Sequence, residues 1–305
     1  MPEVHRPFYA TFDHPFQFQK LEHVVCDRCR GERYGLLTTE LGFEIRECRD
    51  CGLVYVSPQP ADDELAQFYE NMYPDDSEES VETRSLGLHE QLIRRILERR
   101  CPDGGRLLDA GCGFGRLLEV LEDLPWEMTG VEMSETAATY AQQLVPRAHV
   151  IRSSIEEAPV APGSQDCITC IAVLEHMKRP GDTLGRLTEW LAPGGLLVVQ
   201  VPRMAPFLKV KRWIPLLPLY FEAPRHLFDI SPKLLDGYLN DLGYEDIRFD
   251  ITPPYASPGL VSTTLIRLVK LVGRGLKAAS GGTYLYPFVG SYVGHARKCG
   301  GPMVQ

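Results

Sequence analysis

Apolar positions change their period several times along the chain. Between Tyr34 and Cys48, "YGLLTTELGFEIREC" alternates apolar and polar residues around a Leu-Gly turn, which predicts a short hairpin. In "DDELAQFYENMYP", Leu65, Phe68, Tyr69 and Met72 recur at helical spacing and Pro74 ends the pattern. Leu92, Ile93, Ile96 and Leu97 share one face of a second predicted helix. Short, continuous apolar runs then alternate with amphipathic stretches. The runs predict strands at 106–111, 128–133, 149–153, 167–173 and 195–201, and two later strands at 244–251 and 292–298. Five buried-type strands joined by helical crossovers indicate an α/β chain with a doubly wound parallel sheet. One helix is marked at both ends: Ser231 as N-cap, Pro232 at its first position, Leu234, Leu235, Tyr238, Leu239 and Leu242 along its face, and Gly243 as its stop.

The pattern divides the chain into a module at 1–60, a helical linker and lid at 61–100, and the α/β domain at 101–305. The 305 residues suffice for such a domain plus an accessory module. The net charge of −9 argues against a nucleic-acid partner, which would call for a basic surface. The start of the chain shows no apolar signal region, and no run of about 18 apolar residues spans a membrane. With nine cysteines, this leads us to expect a reducing, cytoplasmic setting. Four of the nine form C-x2-C-x18-C-x2-C: Cys26, Cys29, Cys48 and Cys51. Two such knuckles bring four thiolates to the corners of a tetrahedron, so the first module reads as a zinc ribbon. Four thiolates leave no open position, so its Zn2+ is expected to be structural. A second C-x2-C, Cys167 and Cys170, lies in a continuous apolar strand and is expected to be buried thiols rather than a site.

"RLLDAGCGFGRLLEVL" is a strand, a glycine-rich turn and an amphipathic helix. Gly111, Gly113 and Gly115 let a ligand approach the backbone. Asp109 ends the strand, where a carboxylate repels a pyrophosphate but suits a cationic ligand. Glu132 lies 23 residues further on, at the tip of the next strand, where its two oxygens can accept ribose hydroxyls. A nucleoside with a positively charged tail and no phosphate satisfies both acids. S-adenosylmethionine fits that description and NAD fits it poorly.

The chain resembles class I S-adenosylmethionine-dependent methyltransferases over roughly residues 86–298, a likeness that implies a Rossmann-like seven-stranded sheet. "LLDAGCGFG" matches the family's acidic-x-Gly-x-Gly-x-Gly motif, "VEMS" its ribose-binding acid, and "LAPGGLLVVQVP" its fifth strand. "SSIEEAPVAPGSQDCITCIAVLEHMKRP" resembles the adenine loop and fourth strand. The resemblance implies donor contacts at Asp109, Gly111, Gly113, Glu132 and Met133, with Ser154 and Ile155 at the adenine. Many relatives carry Asp where this chain has Ser154, a weaker acceptor. The cysteine module together with "CGLVYVSPQPADDELAQFYENMY" resembles a zinc-bearing subgroup that includes sugar C-methyltransferases, in which Tyr73 would close over the methionine end.

The fourth strand ends in "AVLEHM", without the motifs expected for methylating nucleobases. A small-molecule acceptor with an O–H, N–H or activated C–H is therefore expected: a sugar, a lipid-linked molecule or a secondary metabolite. The insertion at 203–230, which contains "YFEAPRHLFDIS", follows the fifth strand and is expected to lie over the acceptor side. Its Glu222 and His226, with His176 of "LEHM", are the candidate proton acceptors. A second insertion at 255–287 carries a basic amphipathic pattern. Docking on the catalytic domain or on a second subunit is its favoured reading, and peripheral contact of residues 258–282 with an anionic membrane is the alternative. Two other functions compete with the small-molecule reading: methylation of RNA or protein recognised by the zinc ribbon, or donor binding without catalysis. The oligomeric state and the acceptor's identity are not fixed by the sequence.

Overall fold

The computed structural model describes residues 17–71, 87–211, 220–252 and 290–300. Tyr73, Met72, the whole 255–287 insertion and residues 212–219 of the acceptor insertion lie outside them. The elements, in order, are β1 (Leu21–Glu22), β2 (Tyr34–Glu40), β3 (Phe43–Cys48), β4 (Val54–Ser57), β5 (Gln59–Pro60), α1 (Asp62–Asn71), α2 (Leu88–Arg100), β6 (Gly105–Ala110), α3 (Arg116–Val120), β7 (Trp126–Glu132), α4 (Glu135–Leu144) and β8 (His149–Arg152). There follow β9 (Gln165–Ile171), a 3-10 turn (Leu174–His176), α5 (Pro180–Trp190), β10 (Leu191–Pro202), α6 (Ala205–Lys211), β11 (Phe228–Asp229), α7 (Pro232–Asp241), β12 (Tyr244–Ile251) and β13 (Ser291–Lys298).

Seven strands form the main sheet in the order β12-β13-β10-β9-β6-β7-β8. All seven expected strands are present. The pairs among β6 to β10 are parallel, as buried apolar runs joined by crossovers require. β13 runs antiparallel to both β10 and β12, so the sheet is mixed. Cys167 and Cys170 are fully buried in β9 and belong to separate apolar clusters. The odd spacing places them on opposite faces of the strand, and each face has its own core. The helix after the glycine loop forms where its pattern places it, ending at Val120 with Leu121 as its C-cap. Leu124 and Pro125 then turn the chain into β7. The helix beginning at Pro232 forms as expected, with Ser231 Oγ accepting the Leu234 N–H at 3.2 Å.

After β8 the chain returns to the other side of β6 and lays down β9. That reversal opens a crevice at the carboxyl ends of β6 and β9, the place where such sheets bind ligands. Asp109 and Thr169 face each other there, with the threonine hydroxyl donating to Asp109 Oδ1 at 2.6 Å.

The N-terminal module is a second sheet, and it does not stand alone. Its order is β11-β4-β3-β2, so the edge strand is Phe228–Asp229 from the far end of the acceptor insertion. The Leu41-Gly42 turn joins β2 to β3 with both residues at positive φ, 50° and 89°. The first knuckle is fastened to the main domain. Asp27 Oδ2 accepts from the Tyr238 hydroxyl at 2.8 Å and from the Gly181 N–H at 3.2 Å. Among the described residues, no helix is long and apolar enough to cross a membrane.

Candidate active site

The glycine loop is built around the two acids. Gly111 and Cys112 donate their N–H groups to Val131 O, which folds the turn back on β7. Gly111 has φ 75°, and a Cβ there would stand 2.4 Å from Val173 Cγ2. Gly113 has φ 52°, and a Cβ there would meet nothing within 4 Å. The first glycine therefore serves close packing, while the second leaves backbone open to a ligand. Glu132 is buried, and its oxygens accept the N–H groups of Gly113 and Ser134, each at 2.9 Å. Glu132, the acid expected at the ribose, is thus already held by two backbone donors, and one lone pair per oxygen is left for a ligand hydroxyl. Burial raises its affinity for a proton. Burial pushes Asp109 up to about 7, and the carboxylates of Glu132 and Glu90 add to the effect. Only the Thr169 hydroxyl works the other way. A carboxylate pressed by two others wants a cation, which is the chemistry a sulfonium or ammonium group brings.

Met133 is 42% exposed, just beyond Glu132. Ser154 Oγ accepts the Glu157 N–H at 3.3 Å, so the hydroxyl expected at the adenine also closes a local turn. Ile155 is buried in the core beside it.

The contact between Gly111 and Val173 joins the donor loop to the turn carrying Glu175 and His176. Across that turn lies the acceptor segment. His176 Nδ1 is 2.7 Å from Arg225 O, and Leu227 donates to Glu175 O at 2.7 Å. His226 Nδ1 is 3.2 Å from Phe221 O. A carbonyl only accepts, so each ring carries its proton on Nδ1 and leaves Nε2 as an acceptor. The two rings lie 5.0 Å apart between centroids. Burial drives the His176 pKa down to about 3 and that of His226 well below its ordinary value, so both are neutral bases. Glu222 pairs with Arg225 at 2.9 Å, and its Oε2 lies 3.9 Å from His226 Nε2. The three residues singled out as proton acceptors therefore come together.

Four contributors carried no signal in the sequence. Glu175 is 2% exposed, and burial pushes it up to about 8. Tyr69, on an expected helix face, donates its hydroxyl to Arg225 O at 2.8 Å. Glu40, at the end of β2, accepts the N–H groups of Phe221, Glu222 and Ala223 at 2.8, 2.9 and 3.2 Å. Asp229 is buried and binds Arg203 Nε at 3.0 Å and the Ala205 N–H at 2.7 Å, which closes the two ends of the acceptor insertion on each other. Each acts on a segment far away in the chain, so no local pattern reveals it.

The sulfur atoms of Cys26, Cys29, Cys48 and Cys51 all lie within 4.8 Å of one another. The two knuckles repeat one geometry. Arg30 donates to Cys26 O and Gly52 to Cys48 O, at 2.9 and 3.0 Å, with φ 59° and 82°. Burial raises the Cys26 thiol and takes Cys51 up to about 11. A soft dication would offset that penalty, so the donor set fits tetrahedral Zn2+.

A family model described as "Methyltransferase domain" matches residues 83–248. The chain belongs to this methyltransferase family. Within the family, its fold is that of the class I S-adenosylmethionine-dependent enzymes. The "Ubiquinone biosynthesis O-methyltransferase, mitochondrial" of Schizosaccharomyces pombe is 37% identical over 109 residues, covering 33% of this chain and 39% of that one. A Mycolicibacterium smegmatis protein named "Probable S-adenosylmethionine-dependent methyltransferase" is 26% identical over 157 residues, covering 52% of this chain and 58% of its own. The chain thus spans less than two thirds of the length of either relative. Among solved structures, the [4+2]-cyclase SpnF superposes with a TM-score of 0.55 at 19% identity, covering 80% of this chain and 99% of that one. That likeness concerns the fold, which on its own does not choose a chemistry.

Proposed function

We propose that this methyltransferase moves the methyl group of S-adenosylmethionine to a small-molecule acceptor: a sugar, a lipid-linked molecule or a secondary metabolite. The observation that carries the proposal is the packing of Val173 on Gly111, which sets the His176 and His226 cluster directly beside the donor loop. The acceptor atom attacks the methyl carbon and the carbon–sulfur bond breaks toward sulfur, which becomes a neutral thioether. The acceptor's proton passes to the cluster, either to His226 Nε2 or to the Glu222 carboxylate beside it. Asp109 holds the donor's cationic end, Glu132 its ribose, and Ser154 and Ile155 its adenine. The name of the S. pombe relative supports an oxygen acceptor, and the net charge of −9 favours a small acceptor over RNA. The cysteine module binds one structural Zn2+ and resembles that of sugar C-methyltransferases, which keeps an activated carbon among the acceptors to be tried.

The test has two stages. Calorimetric titration with S-adenosylmethionine should show one donor bound per chain. Transfer of labelled methyl to a panel of sugar nucleotides, phenols and lipid-linked sugars should then find an acceptor. His226→Gln should cut turnover at least about 100-fold while leaving donor affinity within about twofold. Donor binding without transfer to any small molecule, combined with labelling of RNA or protein, would overturn the small-molecule reading.

A further inference from the structure

We propose that Glu175, His176 and His226 form a second metal site, distinct from the four cysteines, that takes a divalent transition cation such as Zn2+ beside the donor loop. One ligand atom from each residue lies within 4.8 Å of the others. Both rings spend Nδ1–H on a backbone carbonyl, as metal-binding histidines do, which leaves Nε2 open to a ligand, that of His226 lying 3.9 Å from Glu222 Oε2. Glu175 supplies the second observation. Its side chain is 2% exposed, and Oε2 has no hydrogen-bond partner. Its Oε1 stands 3.8 Å from His176 Nε2, beyond a hydrogen bond. The Ala172 carbonyl also acts on the His176 ring. Lone pairs therefore converge here, and the carboxyl proton that burial favours on Glu175 is given up when a cation takes its place. A dication satisfies all of them, at the cost of a modest contraction of the cluster. Arg225, whose charge reaches all three groups, is paired with Glu222 at 2.9 Å.

Two neutral imidazoles and one carboxylate are a borderline-soft set suited to Zn2+ or Co2+. Three protein ligands leave a position open, as catalytic rather than structural sites do. Its catalytic role rests on the methyl-transfer reading above; the binding does not. With the cation in place, the acceptor oxygen would fill the open position and become more acidic. Its proton would go to Glu222, because His226 Nε2 is then a ligand. The oxygen's electron pair forms the bond to the methyl carbon, and the carbon–sulfur pair returns to sulfur.

The experiment is titration of the full chain, its cysteine site already loaded with Zn2+, with Co2+ alone. We expect one further equivalent, giving weak visible bands without thiolate charge-transfer absorption. His176→Asn and His226→Asn each keep a donor in place of Nδ1–H while deleting Nε2. Either variant, and Glu175→Gln, should lose the second equivalent, and retention of the cysteine-bound Zn2+ reports that the chain is folded. No second equivalent, or one that persists in the histidine variants, overturns the site. That failure would leave donor binding untouched, so it is separable from failure of the methyl-transfer reading.

Discussion

Replacing Asp109 by asparagine removes one charge from the floor of the donor crevice and keeps the shape. Thr169 still finds an oxygen to donate to, as it does to Asp109 Oδ1 at 2.6 Å. In the donor-free chain the carboxylate is held near 7 instead of 3.8, chiefly by burial. The folded value lies above the unfolded one, so the folded chain keeps a proton that the unfolded chain has lost. This contribution to stability is full below the unfolded value and is lost as pH rises through about 7. The span corresponds to roughly 4 kcal/mol as an upper bound. Asp109→Asn should therefore make the donor-free chain more stable than wild type above neutral pH, as read by urea unfolding. Donor binding should move the other way. A cationic ligand selects the ionised carboxylate, so wild-type affinity should rise about tenfold from pH 5.5 to pH 7. The variant carries the donor's own titration but not the aspartate's. Its affinity should stay flat over that range and fall about 10- to 100-fold below wild type at neutral pH. Calorimetric titration at four or five pH values decides the matter. Equal pH dependence in the two proteins would refute the assignment of Asp109 to the donor's cation.

The two glycines of the loop should separate cleanly. Gly113→Ala should fold with a loss of about 1–2 kcal/mol from its positive φ and lose donor binding, because the new methyl points into open space. Gly111→Ala should instead lower the melting temperature strongly, since its methyl lands on Val173. Glu40→Ala leaves three N–H groups of the acceptor segment without their carboxylate. We expect about 2–3 kcal/mol less stability and faster amide exchange at Phe221–Ala223, with donor affinity unchanged. Chelating zinc from the cysteine module should release the edge strand Phe228–Asp229 from Val54–Tyr55, seen as rapid exchange there. Turnover should then fall at least about tenfold while the donor still binds.

The fold was legible because its signals are local. Strand and helix periods, the Ser231 cap, the glycine loop and the cysteine spacing each lie within a couple of dozen residues. Each follows from backbone geometry or ligand count, so each is written in neighbouring side chains. Asp109, Glu132, His226 and the four cysteines could be named for the same reason. What the sequence could not show is which distant segments meet. Phe228–Asp229 completes the cysteine module's sheet, Glu40 holds the backbone of Phe221–Ala223, and Glu175 turns inward between two histidines. Those pairings depend on how the acceptor insertion crosses the carboxyl edge of the sheet. They are decided by the burial of Phe221, Leu227 and Ile230 in the shared core. A buried carboxylate oxygen without a hydrogen-bond partner is a property of that packing, and no stretch of sequence, read alone, contains it.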